Sequence, residues 1–106
     1  MIDAPNQDAA NNSSSSSKVL FENERVRVVE LRLEPGKKEP MHSHPAHLVY
    51  VLSPARMKMT SSEGKTKEVE VRAGQVIWGE ALSHAGENVG TTELHEVIIE
   101  LKEGSL

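Results

Sequence analysis

Residues 36–44, which read GKKEPMHSH, are the most informative stretch of this 106-residue sequence. In an extended strand, residues two apart project from the same face, so His42 and His44 are expected to point in one direction. Neutral imidazole is a good ligand for divalent transition metals. The pair therefore predicts two ligands of a site for Fe, Mn, Ni or Zn, which needs further ligands from elsewhere in the fold.

The composition limits the kinds of site and partner. The absence of Cys excludes disulfides, thiolate metal sites and Cys nucleophiles. Twelve basic and 16 acidic residues give a net charge of −4, and 3% of the residues are aromatic, which argues against nucleic-acid binding. No apolar run approaches the roughly 18 residues of a transmembrane helix, and the N-terminus does not read as a secretory signal. We therefore expect a cytoplasmic protein with no membrane partner.

The chain is expected to form one all-β domain behind a disordered tail. Residues 1–17 (MIDAPNQDAANNSSSSS) are too polar to offset their ordering entropy, which leaves residues 18–106 as a single domain. Apolar alternation predicts roughly seven short strands, the pattern of a small sandwich or barrel. Residues 56–60 and 66–72 flank a turn at 62–65 and predict a hairpin, whereas residues 79–91 read as a turn and a loop.

The sequence contains two motifs that resemble those of the cupin superfamily, and they occur in the same order as in that family. The first family motif is Gly, five residues and His-x-His, followed by a Glu. The second is Gly, five residues, Pro-x-Gly, two residues, His, three residues and Asn; here Glu80 and Leu82 occupy the Pro and Gly positions, and the His comes one residue early. The matching residues here are Gly36, His42 and His44 in the first motif, and Gly74, His84 and Asn88 in the second. The resemblance implies a small jelly-roll β-barrel with a metal site.

The chain departs from the first motif at its Glu, because Leu48 and Val49 occupy the two positions where that residue would fall. The resemblance therefore implies a three-histidine site of His42, His44 and His84. Cupins that lack this Glu include thiol dioxygenases, which favours a metal-dependent, dioxygenase-like enzyme acting on a small polar metabolite. The alternative is a non-catalytic cupin that binds or senses a metal or small molecule.

His47 is the candidate replacement for the missing ligand. In an unbroken strand from His42, His47 would point away from the site. A bulge at Pro45 would shift the register and turn His47 inward. The sequence leaves two alternatives open: His47 is a metal ligand, or it is a histidine that faces solvent or supports a ligand.

Two further residues are candidates for the open side of the site. Tyr50 is nominally in phase with His42 and His44, so its hydroxyl is expected to enter the cavity. His95 is in phase with an apolar face of the last strand, which predicts an inward position. There it is either a hydrogen-bonded core histidine or a proton carrier beside a small-molecule substrate.

The sequence also suggests a self-association surface. Residues 46–52 and 94–101 are apolar on two faces, and cupins commonly pair through such sheets, so a homodimer is expected. The runs HSHP, VYVL and GQVIW also resemble small bacterial cupins linked to β-alanine degradation, which points to small-molecule metabolism. A fold or a family does not determine the substrate.

Overall fold

The computed structural model describes residues 16–102, which form nine strands and no helix. In chain order the strands are β1 (Ser16–Glu22), β2 (Val26–Leu33), β3 (Lys38–His44), β4 (His47–Ser53), β5 (Ala55–Ser61), β6 (Thr66–Val71), β7 (Val76–Gly79), β8 (Leu82–Asn88) and β9 (Leu94–Leu101). Within this range, no helix is long and apolar enough to cross a membrane.

The strands form two antiparallel sheets. The five-stranded sheet has the order β1-β2-β9-β4-β7, and the four-stranded sheet has the order β3-β8-β5-β6. Apart from the consecutive pairs β1-β2 and β5-β6, neighbours in each sheet are distant in sequence, as in a jelly roll, and the all-β prediction is confirmed. The two inner faces share one apolar core, which consists of Leu31, Leu33, Val51, Ala55, Met57, Val71, Leu94 and Ile98.

The interior changes from apolar to polar along the strands. At one end of the five-stranded sheet, Leu33 of β2 lies opposite Leu94 of β9. At the other end, Glu100 of β9 lies between Arg27 of β2 and His47 of β4. Because inward residues recur every second position, all five of these side chains belong to the inner face. The polar end of the barrel is therefore where a site can form.

The prediction of a turn and loop over residues 79–91 was wrong, because β8 lies within this segment. Its inward residues are His84, Gly86 and Asn88, so the usual apolar alternation is missing from its sequence. Pairing with β3 on one side and β5 on the other supplies the backbone hydrogen bonds that make it a strand. Asn88 is fully buried, and its Nδ2 donates to the carbonyl oxygens of Leu33 and Thr92.

The first strand begins inside the segment expected to be disordered. Ser16 and Ser17 pair with Arg32 and Leu31 of β2, so β1 includes the last two residues of that segment. Strand pairing uses backbone groups, which a polar side chain does not remove. The remainder of the predicted tail lies outside the described residues.

Candidate metal centre

A β-bulge in β3 brings Glu39 and His42 to the same side. The partners of β3 on β8 change from Glu39–Gly86 to His42–His84, so β3 advances by three residues while β8 advances by two. Pro40 lies in this interval, where its missing N–H does not interrupt the ladder. Glu39 and His42 are each 6% exposed and both face the interior.

Three imidazole rings converge at the polar end of the barrel. His42 lies directly opposite His84, and His44 follows two residues after His42 on the same face. The ring centroid of His42 is 4.7 Å from that of His44 and 4.8 Å from that of His84. One ligand nitrogen from each ring lies within 4.8 Å of the others. The structure therefore brings together the three residues that the family motifs indicated.

The spacing of the ring nitrogens fits a divalent metal. The Nε2 atoms of His42 and His44 are 3.0 Å apart. Two ligands at about 2.1 Å from a metal and at right angles to each other are also about 3.0 Å apart. A set of neutral imidazoles suits Fe, Mn, Ni or Zn, so the residues present fit such an ion.

The other nitrogen of each β3 histidine has a partner that determines the tautomer. Nδ1 of His42 donates to the carbonyl oxygen of Pro40 at 2.7 Å, and Nδ1 of His44 donates to Oε2 of Glu100 at 2.7 Å. A carbonyl or a carboxylate only accepts, so in the neutral ring the proton is on Nδ1 and the lone pair is on Nε2. Such contacts are the usual support of a metal-ligating histidine.

His84 is held in its neutral form by its surroundings. Burial lowers the pKa of His84 to about 3, and the nearby rings of His42, His44 and His47 act in the same direction. A neutral imidazole keeps a lone pair at neutral pH. The ring of His84 is therefore in the protonation state that a metal ligand requires.

His47 faces the interior. Strand β3 ends at His44 and β4 begins at His47, so the register is interrupted around Pro45. His47 is 5% exposed, its Nδ1 donates to the carbonyl oxygen of Pro45 at 2.7 Å, and its ring centroid is 4.9 Å from that of His44. The inward alternative described above is the one that the chain adopts.

Gly79 makes room for the ring of His47. The two residues are partners in the β4–β7 pairing. A Cβ atom on Gly79 would lie 2.5 Å from Nε2 of His47 and 2.6 Å from its Cε1. No larger residue fits at this position while the ring keeps its place, so Gly79 is part of the site.

Three inward glutamates were missed by sequence reasoning. Glu100 accepts from His44, and Oε1 of Glu39 lies 3.8 Å from Nε2 of His42. Burial raises the pKa of the Glu96 carboxyl to about 8, with a smaller effect from the charge of Glu39. Two signals were available: Pro40 within a strand indicates a bulge, and Glu96 and Glu100 share a phase with apolar residues of β9.

Tyr50 and His95 lie on the outer face of the five-stranded sheet, contrary to the expected phases. The interruption around Pro45 puts His47 inside, so Tyr50 faces outward and is 43% exposed. Strand β9 puts Leu94, Ile98 and Glu100 inside, so His95 faces outward as well. Nε2 of His95 contacts Oε2 of Glu30 at 2.7 Å. Neither residue belongs to the histidine cluster.

Comparisons with known proteins agree with this architecture. No family model and no curated protein matches the chain. Among solved structures, a cupin domain from Bordetella pertussis Tohama I is similar, with a TM-score of 0.77 and 27% identity over 84% of this chain and 94% of that chain.

Two further solved structures share the fold. An uncharacterized conserved protein with a double-stranded β-helix domain from Klebsiella pneumoniae has a TM-score of 0.70 and 17% identity, covering 100% of this chain and 92% of that chain. A predicted oxalate decarboxylase from Thermotoga maritima has a TM-score of 0.59 and 24% identity, covering 82% of this chain and 80% of that chain. These similarities confirm the fold expected from the two motifs.

Proposed function

We propose that this protein, a member of the cupin superfamily, binds a divalent transition metal through His42, His44 and His84, with His47 as a fourth ligand. One observation carries the proposal. The Nε2 lone pairs of His42 and His44 face each other at 3.0 Å, while both Nδ1 atoms are engaged in other hydrogen bonds. Two such lone pairs repel unless a proton or a metal ion lies between them, and a metal ion would use both lone pairs at once.

We further propose that the metal site is catalytic and oxygenase-like, acting on a small polar molecule. A metal there would supply a Lewis acid and, in the case of iron, an electron donor to dioxygen. Four imidazoles leave up to two positions of an octahedral ion open. The protein's own contribution is to hold the rings in one tautomer, through the carbonyl oxygens beside His42 and His47 and the Glu100 carboxylate beside His44.

A second candidate is a non-catalytic protein that binds or senses a metal or small molecule. The observation that favours it is the outward position of Tyr50 and His95, the two residues expected on the open side of the site. The acid–base groups that remain near the rings are the inward glutamates. Oxygen consumption separates the two candidates.

The test begins with metal binding. Metal-free protein is titrated with Co²⁺ and Fe²⁺ under anaerobic conditions, and we expect one ion per chain. His42→Ala and His44→Ala should each abolish stoichiometric binding. His95→Ala is the matched control, since it removes an imidazole from the outer face, and it should bind as the wild type does. Unchanged binding in His42→Ala and His44→Ala would contradict the proposal.

The second stage measures turnover. Fe²⁺-loaded wild type is supplied with oxygen and a panel of small carboxylic acids, amino acids and thiols in an oxygen electrode. Consumption that depends on one compound and is lost in His44→Ala supports the enzyme. Tight binding of a compound without oxygen consumption supports the binding protein instead.

We also propose that two copies associate through the outer face of the five-stranded sheet. One cross-strand row on that face consists of Val28, Ile99, Leu48 and Trp78. The outer face of the four-stranded sheet instead carries charged neighbours, with Lys58 between Glu68 and Glu87. In a symmetric dimer the same surface patch of each subunit faces its partner. This apolar row can therefore pack against the same row of a second copy.

A further inference from the structure

A cavity opens beside His84 at the polar end of the barrel. It lies between the β5–β6 hairpin and the start of β8, and its volume is about 760 Å³. This size is ordinary for a small-molecule site, in the range of about 300–1,000 Å³. The cavity gives a ligand direct access to one of the proposed metal-binding rings, so its lining bears on what the site binds.

Lys67 gives this cavity a positive charge. It is in phase with Val69 and Val71, which pack on or within the core, so its side chain belongs to the inner face at the mouth. Within residues 16–102, no carboxylate forms an ion pair with Lys67. The other two charges in the lining, Lys65 and Glu63, lie 3.9 Å apart and compensate each other.

The rest of the lining suits a short molecule with an acidic end. Met59 of β5 lies between Lys67 of β6 and Gly86 of β8, so an apolar surface separates Lys67 from the imidazoles. Ser61 lies opposite His84, and its Oγ accepts from the backbone N–H groups of Glu63 and Lys65. With both acceptor positions used, the Ser61 hydroxyl retains its proton for donation.

The spacing of the strands indicates the length of the ligand. Lys67 is two strands and one two-residue step away from His84, which corresponds to about 12 Å between Cα atoms at about 4.8 Å per strand and 3.4 Å per residue. Both side chains project from the inner face, and a contact of about 2.8 Å at the ammonium and about 2.1 Å at a metal takes up part of this distance. A chain of a few carbon atoms fits between the two polar groups.

We infer that the ligand of this cupin is a short-chain carboxylate, whose carboxylate group is bound by Lys67 while its other polar end faces the imidazoles. The inference rests on the proposed metal site, because that site receives the second end. Lys67 is then a specificity-determining residue. A neutral or cationic molecule of the same length would gain no binding affinity from the ammonium group of Lys67.

The test uses dicarboxylates as probes. Protein loaded with Co²⁺ is titrated calorimetrically with malonate, succinate and glutarate, and with the monoamides of the same lengths, which keep one carboxylate for the metal. We expect at least one dicarboxylate to bind about ten times more tightly than its monoamide, as a charge-assisted hydrogen bond is stronger than a neutral one. Lys67→Gln should remove that advantage and leave monoamide binding unchanged.

Lys58→Gln is the matched control, because it removes a lysine from the same hairpin on its outer face, and it should bind as the wild type does. The Co²⁺ absorption spectrum of each variant reports the metal site independently. Normal Co²⁺ binding without any preference for dicarboxylates, or with a preference that Lys67→Gln retains, overturns the inference alone. Absence of Co²⁺ binding in the wild type overturns the proposed function and the inference with it.

Discussion

The Nδ1 atom of His44 lies 2.7 Å from Oε2 of Glu100, across 56 residues of sequence. Both side chains are nearly inaccessible, and Glu100 sits beside Arg27 and His47 on the inner face. The chain contains a second contact of the same kind and length, between Nε2 of His95 and Oε2 of Glu30, on the outer face. One pair supports the proposed metal site and the other does not touch it.

We therefore expect Glu100→Gln to weaken Co²⁺ binding by about 10- to 100-fold, the usual effect of losing a carboxylate that orients a metal-ligating histidine. The neutral amide can still accept from Nδ1, but it no longer increases the basicity of the ring. Affinity is measured by competition with a chelator. Glu30→Gln is the control and should leave the affinity unchanged; equal effects of the two variants would contradict the role given to Glu100.

The histidine cluster was predicted from the sequence, whereas its acidic partners were not. His42 and His44 need only the two-residue period of a strand to face one way, and His84 was indicated by a local motif. Glu39 requires a bulge to become inward, and Glu100 requires the correct choice between two faces of β9. The outer face of β9 carries Val97, Ile99 and Leu101, whereas its inner face carries Leu94 and Ile98 together with Glu96 and Glu100. The outer face is thus the more apolar of the two, which is the reverse of the usual arrangement.

The contact between Gly79 and His47 gives a second prediction. Gly79→Ala places a Cβ atom 2.5 Å from Nε2 of His47, so the ring must move or the pairing of β4 and β7 must distort. We expect a lower melting temperature of the metal-free protein and weaker metal binding.

The double variant His47→Ala/Gly79→Ala identifies the cause. Without the imidazole there is no clash, so Gly79→Ala should cost much less stability in the His47→Ala background than in the wild type. Thermal unfolding of all four proteins measures this coupling. Additive losses would show that Gly79 matters for a reason other than the ring.

The carboxyl group of Glu96 predicts a pH dependence of stability. Burial raises its pKa from 4.5 to about 8, so between these values the folded protein holds a proton that the unfolded chain releases. The stabilisation is fully present below about 4.5 and is lost as the pH rises through about 8, with a slope of about 1.4 kcal/mol per pH unit.

Glu96→Gln removes this slope, because a neutral amide does not titrate. Urea unfolding of the metal-free wild type and variant between pH 5 and pH 8 should show the variant gaining stability relative to the wild type as the pH rises. Contributions from other groups, including His84, are common to both proteins and cancel in the difference. Parallel stability curves would mean that Glu96 is already ionised in the folded state.

The outward position of Tyr50 leads to the last prediction. The interruption around Pro45 turns Tyr50 away from the site and into the apolar outer face, where it lies between Val97 and Val76. Trp78, at the end of the neighbouring row, is 50% exposed. An exposed apolar sheet face of this kind indicates an interaction surface.

We expect the wild type to sediment as a dimer at micromolar concentration and Trp78→Glu to sediment as a monomer, because the variant buries an unpaired charge at the interface. Thr60→Glu, on the outer face of the other sheet, should remain a dimer. A monomeric wild type would refute the association, and a dimeric Trp78→Glu variant would place the interface on another surface.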